Sequence, residues 1–256
     1  MKRVIICNDP HCGHLVGLTP PGYRITTPGF EKFNTVQGAL WDAFAAGVKK
    51  HGPFDIAIFA GDLVDGKGRR SGGTENFVQD MKIQADMASV MVSTIGANQN
   101  YAVYGTPYHV ADGEGLDWED MVEGIDKIES HGFYDINGTI LDVKHKVGSS
   151  STPYGRHTAV AKEDVWNLLW SEADGAPRSD IIVRAHVHYY TFCGRFGKLQ
   201  MTLPALQGKG SKFGARQCSG LVDFGFVVME FDEKGGYTWF PHIVRVQAQR
   251  TKAIRL

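Results

Sequence analysis

The sequence predicts an α/β layered domain, and three observations predict it. Short apolar runs alternate with stretches of helical period through the first two thirds of the chain. The segment from Thr191 to Val246 is turn-punctuated and β-rich. Asp or His residues stand just beyond five of the apolar runs. Strand-helix alternation followed by β-rich sequence is how layered α/β architecture reads in one dimension.

Taken in order, Val4, Ile5, Ile6 and Cys7 form a buried-strand run. Val36, Leu40, Phe44 and Val48 then recur every fourth residue, with Trp41 and Ala45 beside them, which is one face of an amphipathic helix. Asn34 or Thr35 is the expected N-cap. Ile56 to Ala60 is the second strand, and Phe77, Met81, Ala85, Ala88, Val92 and Ile95 mark a helix of about five turns. Tyr101 to Tyr104 is a third strand, followed by an acidic helix around residues 118–128. Residues 140–145 alternate as a half-buried strand does. Val165, Leu168 and Leu169 mark a further helix, Ile181 to Val183 another strand, and Gly235-Gly236 a hairpin turn. With no repeat and no low-complexity linker, residues 1–256 read as one domain.

Composition narrows the class. Hydrophobic residues at 43% and charged residues at 21% are globular values and argue against disorder. No apolar run reaches the roughly 20 residues of a membrane helix, and four apolar positions after Arg3 are too few for a signal peptide. The expectation is a cytoplasmic protein with no membrane association. Its four cysteines, Cys7, Cys12, Cys193 and Cys218, then read as reduced thiols. The net charge of -1 hides an asymmetry: residues 181–256 carry 11 basic against 4 acidic side chains, and residues 1–180 carry 16 against 24. Such a split hints at a polyanionic partner.

The chemistry lies past the strands. The first run is followed by Asp9-Pro10-His11, the second by Gly61-Asp62-Leu63-Val64-Asp65, the third by Gly105-Thr106-Pro107-Tyr108-His109. The alternating strand ends in His145, and the last in His186-Val187-His188. Ligands of open α/β sheets bind beyond the carboxyl ends of strands, so five such ends deliver carboxylates and imidazoles to one place. Asp-x-His and His-x-His put two side chains on the same side of an extended segment. This oxygen-plus-imidazole donor set suits Mn, Fe, Zn, Co or Ni. Two such ions roughly 3.5–4 Å apart clamp a phosphoryl group and convert bound water to hydroxide near neutral pH. Neither a Ser-His-Asp arrangement nor a Gly-x-x-x-x-Gly-Lys-Ser/Thr loop is present. Metal-assisted hydrolysis is the class the inventory supports.

In that order, Asp9-x-His11, Gly61-Asp62-x-x-Asp65, the Gly105 element with His109, and His186-x-His188 resemble the calcineurin-like metallophosphoesterase superfamily, including phosphoesterases encoded in phage and prophage genomes. The resemblance spans about residues 9–188 and implies a four-layer α/β/β/α sandwich with a dinuclear metal site at the strand carboxyl ends. It implies that Asp9, His11 and His188 hold one metal, that Asp62 bridges, and that His145 and His186 hold the other. Thr106 stands where the family carries an Asn ligand. His109, two residues later than the family's His, is the candidate general acid. Manganese is the expected metal, and a phosphodiester, with nucleic acid among the candidates, the expected substrate. For a phage-encoded protein the compartment would be the host cytoplasm.

Alternatives stay open on the residues themselves. His157 lies 12 residues after His145 and competes with it as a ligand, although it opens a helix whereas His145 ends a strand. Asp65 reads as a residue that holds the loop or orients a ligand. His14, His51, His131 and His242 read as structural or surface residues, and Cys12 as a small buried hydrophobe. Two basic segments, residues 67–70 and 208–216, are candidates for phosphate contact. The rivals to a two-metal phosphodiesterase are a phosphomonoesterase, a mononuclear hydrolase and a catalytically silent metal-binding scaffold of the same fold.

Overall fold

Strand β1 (Lys2–Cys7) sets the layering through its alternation. Val4 and Ile6 enter one apolar core and Ile5 and Cys7 another, all four fully or almost fully buried. Opposite faces of one strand both need cover, so a layer must lie on each side of its sheet. The computed structural model describes residues 1–68, 72–111, 115–150, 152–209, 221–246, 253 and 255.

The remaining elements are α1 (Phe33–His51), β2 (Ile56–Phe59), α2 (Met81–Ile95), β3 (Gln99–Val103), α3 (Pro107–Val110), β4 (Lys127–Glu129), β5 (Gly132–Ile136) and β6 (Thr139–Lys144). They continue with α4 (Arg156–Glu172), β7 (Ile181–Arg184), β8 (Thr191–Arg195), β9 (Lys198–Thr202), β10 (Phe224–Phe231) and β11 (Tyr237–Val244). One sheet has the order β11-β10-β1-β2-β3-β4 and the other β5-β6-β7-β9-β8. β1 to β4 run parallel to one another, as do β6, β7 and β9. Val4, Ile58, Val103, Val143, Val183, Met201 and Val227 fill the space between the sheets. Leu40 and Phe44 of α1 and Ala88 and Met91 of α2 cover the outer face of the first sheet. Helix α4 packs on β7, β8 and β9. The layers are therefore α/β/β/α, as the family resemblance implies.

Four local readings need correction. α1 begins at Phe33, so Asn34 does not cap it; its amide instead exchanges hydrogen bonds of 2.9 and 3.0 Å with the backbone of Ile25. α2 starts at Met81 rather than Phe77, because Asp80 caps it by accepting from the N–H groups of Lys82 and Ile83. Residues 118–128 form a short 3-10 turn, Trp118–Met121, and strand β4 rather than one surface helix, and Glu119 in that turn is buried. α4 forms where expected but turns Val165, Leu168 and Leu169 outward. Gly235 and Gly236 do lie in the turn between β10 and β11. Among the described residues no helix is long and apolar enough to cross a membrane.

Candidate metal centre

The parallel pairing of β1 and β2 continues past their ends. Asp9 N–H donates to Gly61 O at 3.0 Å, and His11 N–H to Asp62 O at 3.1 Å, so the two exit loops run side by side. Gly61, at φ 86°, permits the third loop to close in: a Cβ there would lie 2.7 Å from Gly105 Cα and 2.8 Å from His145 Nδ1. A Cβ on Gly105 would strike the backbone nitrogen and carboxylate of Asp62. These two glycines thus set how near the second, third and sixth strand ends approach. Thr106 N–H then donates to Asp62 Oδ1 at 2.6 Å within the first sheet, and His186 N–H to Asp9 Oδ2 at 3.0 Å ties the two sheets together.

All eight expected site residues converge there. Asp9, His11 and His188 form one group of donor atoms within 4.8 Å of one another, and Asp62, His145 and His186 form another. A third group, His11, Asp62 and His109, overlaps both. His188 Nε2 lies 3.3 Å from Asp9 Oδ1, and His145 Nε2 lies 3.1 Å from Asp62 Oδ2. Thr106 Oγ1 sits 3.1 Å from His145 Nε2 and 3.2 Å from His186 Nδ1. His157 is exposed at the start of α4, whereas His145 is buried.

The surroundings aim these groups. His145 Nδ1 is 2.7 Å from Ala60 O and His11 Nδ1 is 2.9 Å from Asp65 Oδ1, which directs the Nε2 atom of each ring inward. His109 Nδ1 lies 2.8 Å from Asp65 O, leaving its Nε2 unengaged by that contact. Asp65 thus orients two imidazoles, as a ligand-orienting residue would, and Asn76 fixes its other oxygen at 2.7 Å. Two residues were not visible in the sequence as contributors. Glu119 accepts from Leu63 N–H at 2.8 Å and Gly105 N–H at 2.7 Å, stapling the second and third loops. Asn8 donates its amide to Asp9 Oδ2. No spacing signal marks either: Glu119 acts through backbone groups of distant loops, and Asn8 through the carboxylate of its neighbour. His14 is buried, with Nδ1 accepting from Val16 N–H at 3.1 Å, which is a structural role.

Two properties of the cluster point to a ligand. Seven non-glycine residues among those described have positive φ, and five of them are Asp9, His11, Asp62, His186 and His188. Such conformations cost energy and persist where the surroundings over-determine them. Asp9 Oδ1 and His11 Nε2 are moreover buried without a hydrogen bond, although both face the cluster. Unsatisfied buried donors and acceptors are rare, and an oxygen and an imidazole nitrogen converging in this way suit a divalent cation. The residues present fit a metal.

The charges are strongly coupled. Burial opposes ionisation of Asp62, but the imidazoles of His145 and His11 outweigh it and hold the carboxyl at about 2. Burial likewise opposes the charged form of His145, yet Asp62 and Asp9 lift it to about 9. Burial and the charge of His145 press His186 down to about 4. Burial, with the charge of His11, lowers His109 below its ordinary value. Burial pushes Glu119 up to about 8, with the Asp62 charge adding to it.

Of the two basic segments, Arg69, Arg70 and residues 210–216 lie outside the described residues, as does Cys218. Cys7, Cys12 and Cys193 are free thiols.

A sequence profile of calcineurin-like phosphoesterases matches residues 2–227. No curated protein sequence matches the chain. Among solved structures, the fold is similar to Vps29 of Entamoeba histolytica complexed with Zn²⁺, at 13% identity and TM-score 0.44, covering 94% of this chain and 98% of that one. It is also similar to an archaeal phosphodiesterase, at 14% identity and TM-score 0.45, covering 93% and 99%. Vps29 of Chaetomium thermophilum is similar at 10% identity and TM-score 0.42, covering 96% and 100%.

Proposed function

Since this chain belongs to the calcineurin-like phosphoesterase family, whose chemistry is metal-dependent phosphoester hydrolysis, we propose that it is a phosphodiesterase using two divalent cations, manganese first among them. The observation that carries this is the pair of donor groups, Asp9/His11/His188 and Asp62/His145/His186, set side by side with unsatisfied atoms between them. In this reading the first group holds one cation and the second the other. Asp62, whose Oδ2 faces both His11 and His145, serves both. Thr106 Oγ1 completes the second set. When bound, the cations polarise the phosphoryl oxygens and supply a water that ionises near neutral pH.

The chain's own groups do the rest. Asp62 carries the negative charge that holds two cations together, and its oxygens are fixed by Thr106 N–H and the His145 ring. Asp65 holds His109 through Nδ1, so that the protonated ring presents Nε2–H to the departing oxygen. Glu119 keeps the Asp62 and Thr106 loops at their spacing. The basic balance of residues 181–256 supports a diester of polyanionic character, nucleic acid included, over a small monoester.

The test is turnover of bis(p-nitrophenyl) phosphate against p-nitrophenyl phosphate with added Mn²⁺. Preference for the diester supports the reading, and preference for the monoester replaces it with a phosphomonoesterase. One feature favours a second reading, a metal-binding scaffold without turnover: Thr106 offers a neutral hydroxyl where the family carries an amide. Two bound equivalents of metal with neither substrate turned over would select that scaffold.

A further inference from the structure

Helix α4 is built inside out. Apart from Val160 near its start, its sheet-facing side is polar: Glu163 Oε2 accepts from Arg184 Nε at 2.8 Å, Asp164 Oδ1 pairs with Lys198 Nζ at 3.2 Å, and Asn167 Oδ1 accepts from Ser179 N–H at 3.0 Å. Its outer side is apolar: Val165, Trp166, Leu168 and Leu169 are 57%, 51%, 39% and 50% exposed. The helix cannot roll to bury that stripe, because rolling would strip the fully buried Arg184 of its Glu163 partner. Contiguous exposed apolar residues on a helix mark a contact surface.

The stripe also has a symmetry that names its partner. About Asn167, Trp166 and Leu168 stand one residue to either side, Val165 and Leu169 two, and Lys162 and Glu172, both exposed, five. At about 3.6 residues per turn, Lys162, Val165, Leu168, Leu169 and Glu172 fall within about a third of the helix circumference. A closed two-fold contact must be self-complementary. An antiparallel copy of α4 centred at position 167 meets that demand, with Val165 over Leu169 and Lys162 beside Glu172 at both ends of the seam. We propose that the outer face of α4 is a dimerisation surface whose occupant is α4 of a second copy of this chain, antiparallel and in that register.

The test is sedimentation equilibrium of the purified full chain up to roughly 1 mM, where even weak self-association registers. The wild type is expected to dimerise. Leu169→Glu, at an exposed position, should be monomeric with an unchanged circular dichroism spectrum. Lys162→Glu and Glu172→Lys should each weaken the dimer by roughly tenfold, because symmetry turns each reversal into two like-charge contacts. The double variant Lys162→Glu/Glu172→Lys should recover most of that loss. A monomeric wild type overturns the proposal and leaves the face to another segment or protein. A dimer indifferent to Leu169→Glu overturns it too, and a double reversal no tighter than the single ones rejects the antiparallel register.

Discussion

One cluster of buried charge lies between α4 and the second sheet and another at the strand ends, and they are built on different terms. Under α4, Arg184 donates to Asp142 Oδ1 at 2.5 Å and to Glu163 at 2.8 Å, and His131 pairs with Asp142 at 2.8 Å. None of these residues has positive φ. At the strand ends, Asp9, His11, Asp62, His186 and His188 all have it, and Asp9 Oδ1 and His11 Nε2 have no hydrogen bond. Both clusters are largely buried and rich in ionisable groups, so burial and charge alone do not separate them. Unsatisfied atoms do not separate them either, since Arg184 Nη2 is also buried without a hydrogen bond; backbone strain does, because strained conformations persist where the surroundings over-determine them, as at ligand sites.

The sharpest way to break that contrast is to alter one residue in each cluster and compare what is lost. Asp62→Asn should lower turnover by roughly 10²–10³-fold or more, the scale lost with one positioned charge-stabilising group, while the chain remains folded by circular dichroism. Near-normal turnover with Mn²⁺ would show that Asp62 does not join two cations. Asp142→Ala should do the reverse. It leaves the buried Arg184 with Glu163 as its one carboxylate partner and should cost up to about 3–5 kcal/mol by urea denaturation, with bound metal unchanged. Loss of metal in that variant, at a temperature where it is folded, would mean that the two clusters are not independent.

Next in size are the ligand deletions. His186→Ala and His188→Ala should each reduce metal content measured by elemental analysis; two equivalents retained in both would remove the pair from the ligand set. His109→Asn should slow substrates with basic leaving groups by about 10²–10⁴-fold and p-nitrophenyl substrates far less. An equal loss across leaving groups, or loss of bound metal, would assign His109 to the overlapping group it forms with His11 and Asp62. Thr106→Asn should tighten the second cation, read as a lower half-saturating metal concentration.

The smallest effect concerns protons in the metal-free chain. His145 is raised from 6.5 to about 9, so its pairing with Asp62 stabilises the fold fully below about pH 6.5 and is lost as pH rises through about 9. The melting temperature of the chelated protein should fall over that window, and the fall should be absent in His145→Asn. A flat profile in the wild type would mean that His145 is not held charged by Asp62.

Much of this centre was legible in the chain because its signals are local. A strand run followed by Asp9-Pro10-His11 or Gly61-Asp62 needs only neighbours to be recognised, and His145 ended a period-2 pattern while His157 opened a helix. Helix ends were read less well, since Asp80 and Phe33 win their places through contacts that a hydrophobic repeat does not carry. The acidic stretch holding Glu119 looked like surface because charge usually is; its burial depends on two N–H groups contributed by loops more than ten residues away.

By itself, then, the sequence determined the strand-helix order, the layered class and which residues stand at the strand ends, because periods of 2 and 3.6 residues are properties of the local backbone. Tertiary structure decided what those residues meet. It placed Thr106 between two imidazoles, used Asp65 to orient His11 and His109, and closed the second and third loops on Glu119. It also turned the apolar stripe of α4 away from the sheet. That stripe has the spacing of a core face, but Arg184 has no exposure to water, and turning the stripe inward would take from its buried Nε–H the Glu163 carboxylate that accepts from it. Apolar periodicity reports that a helix has two faces; which one turns inward is settled by the polar groups waiting on the surface it packs against.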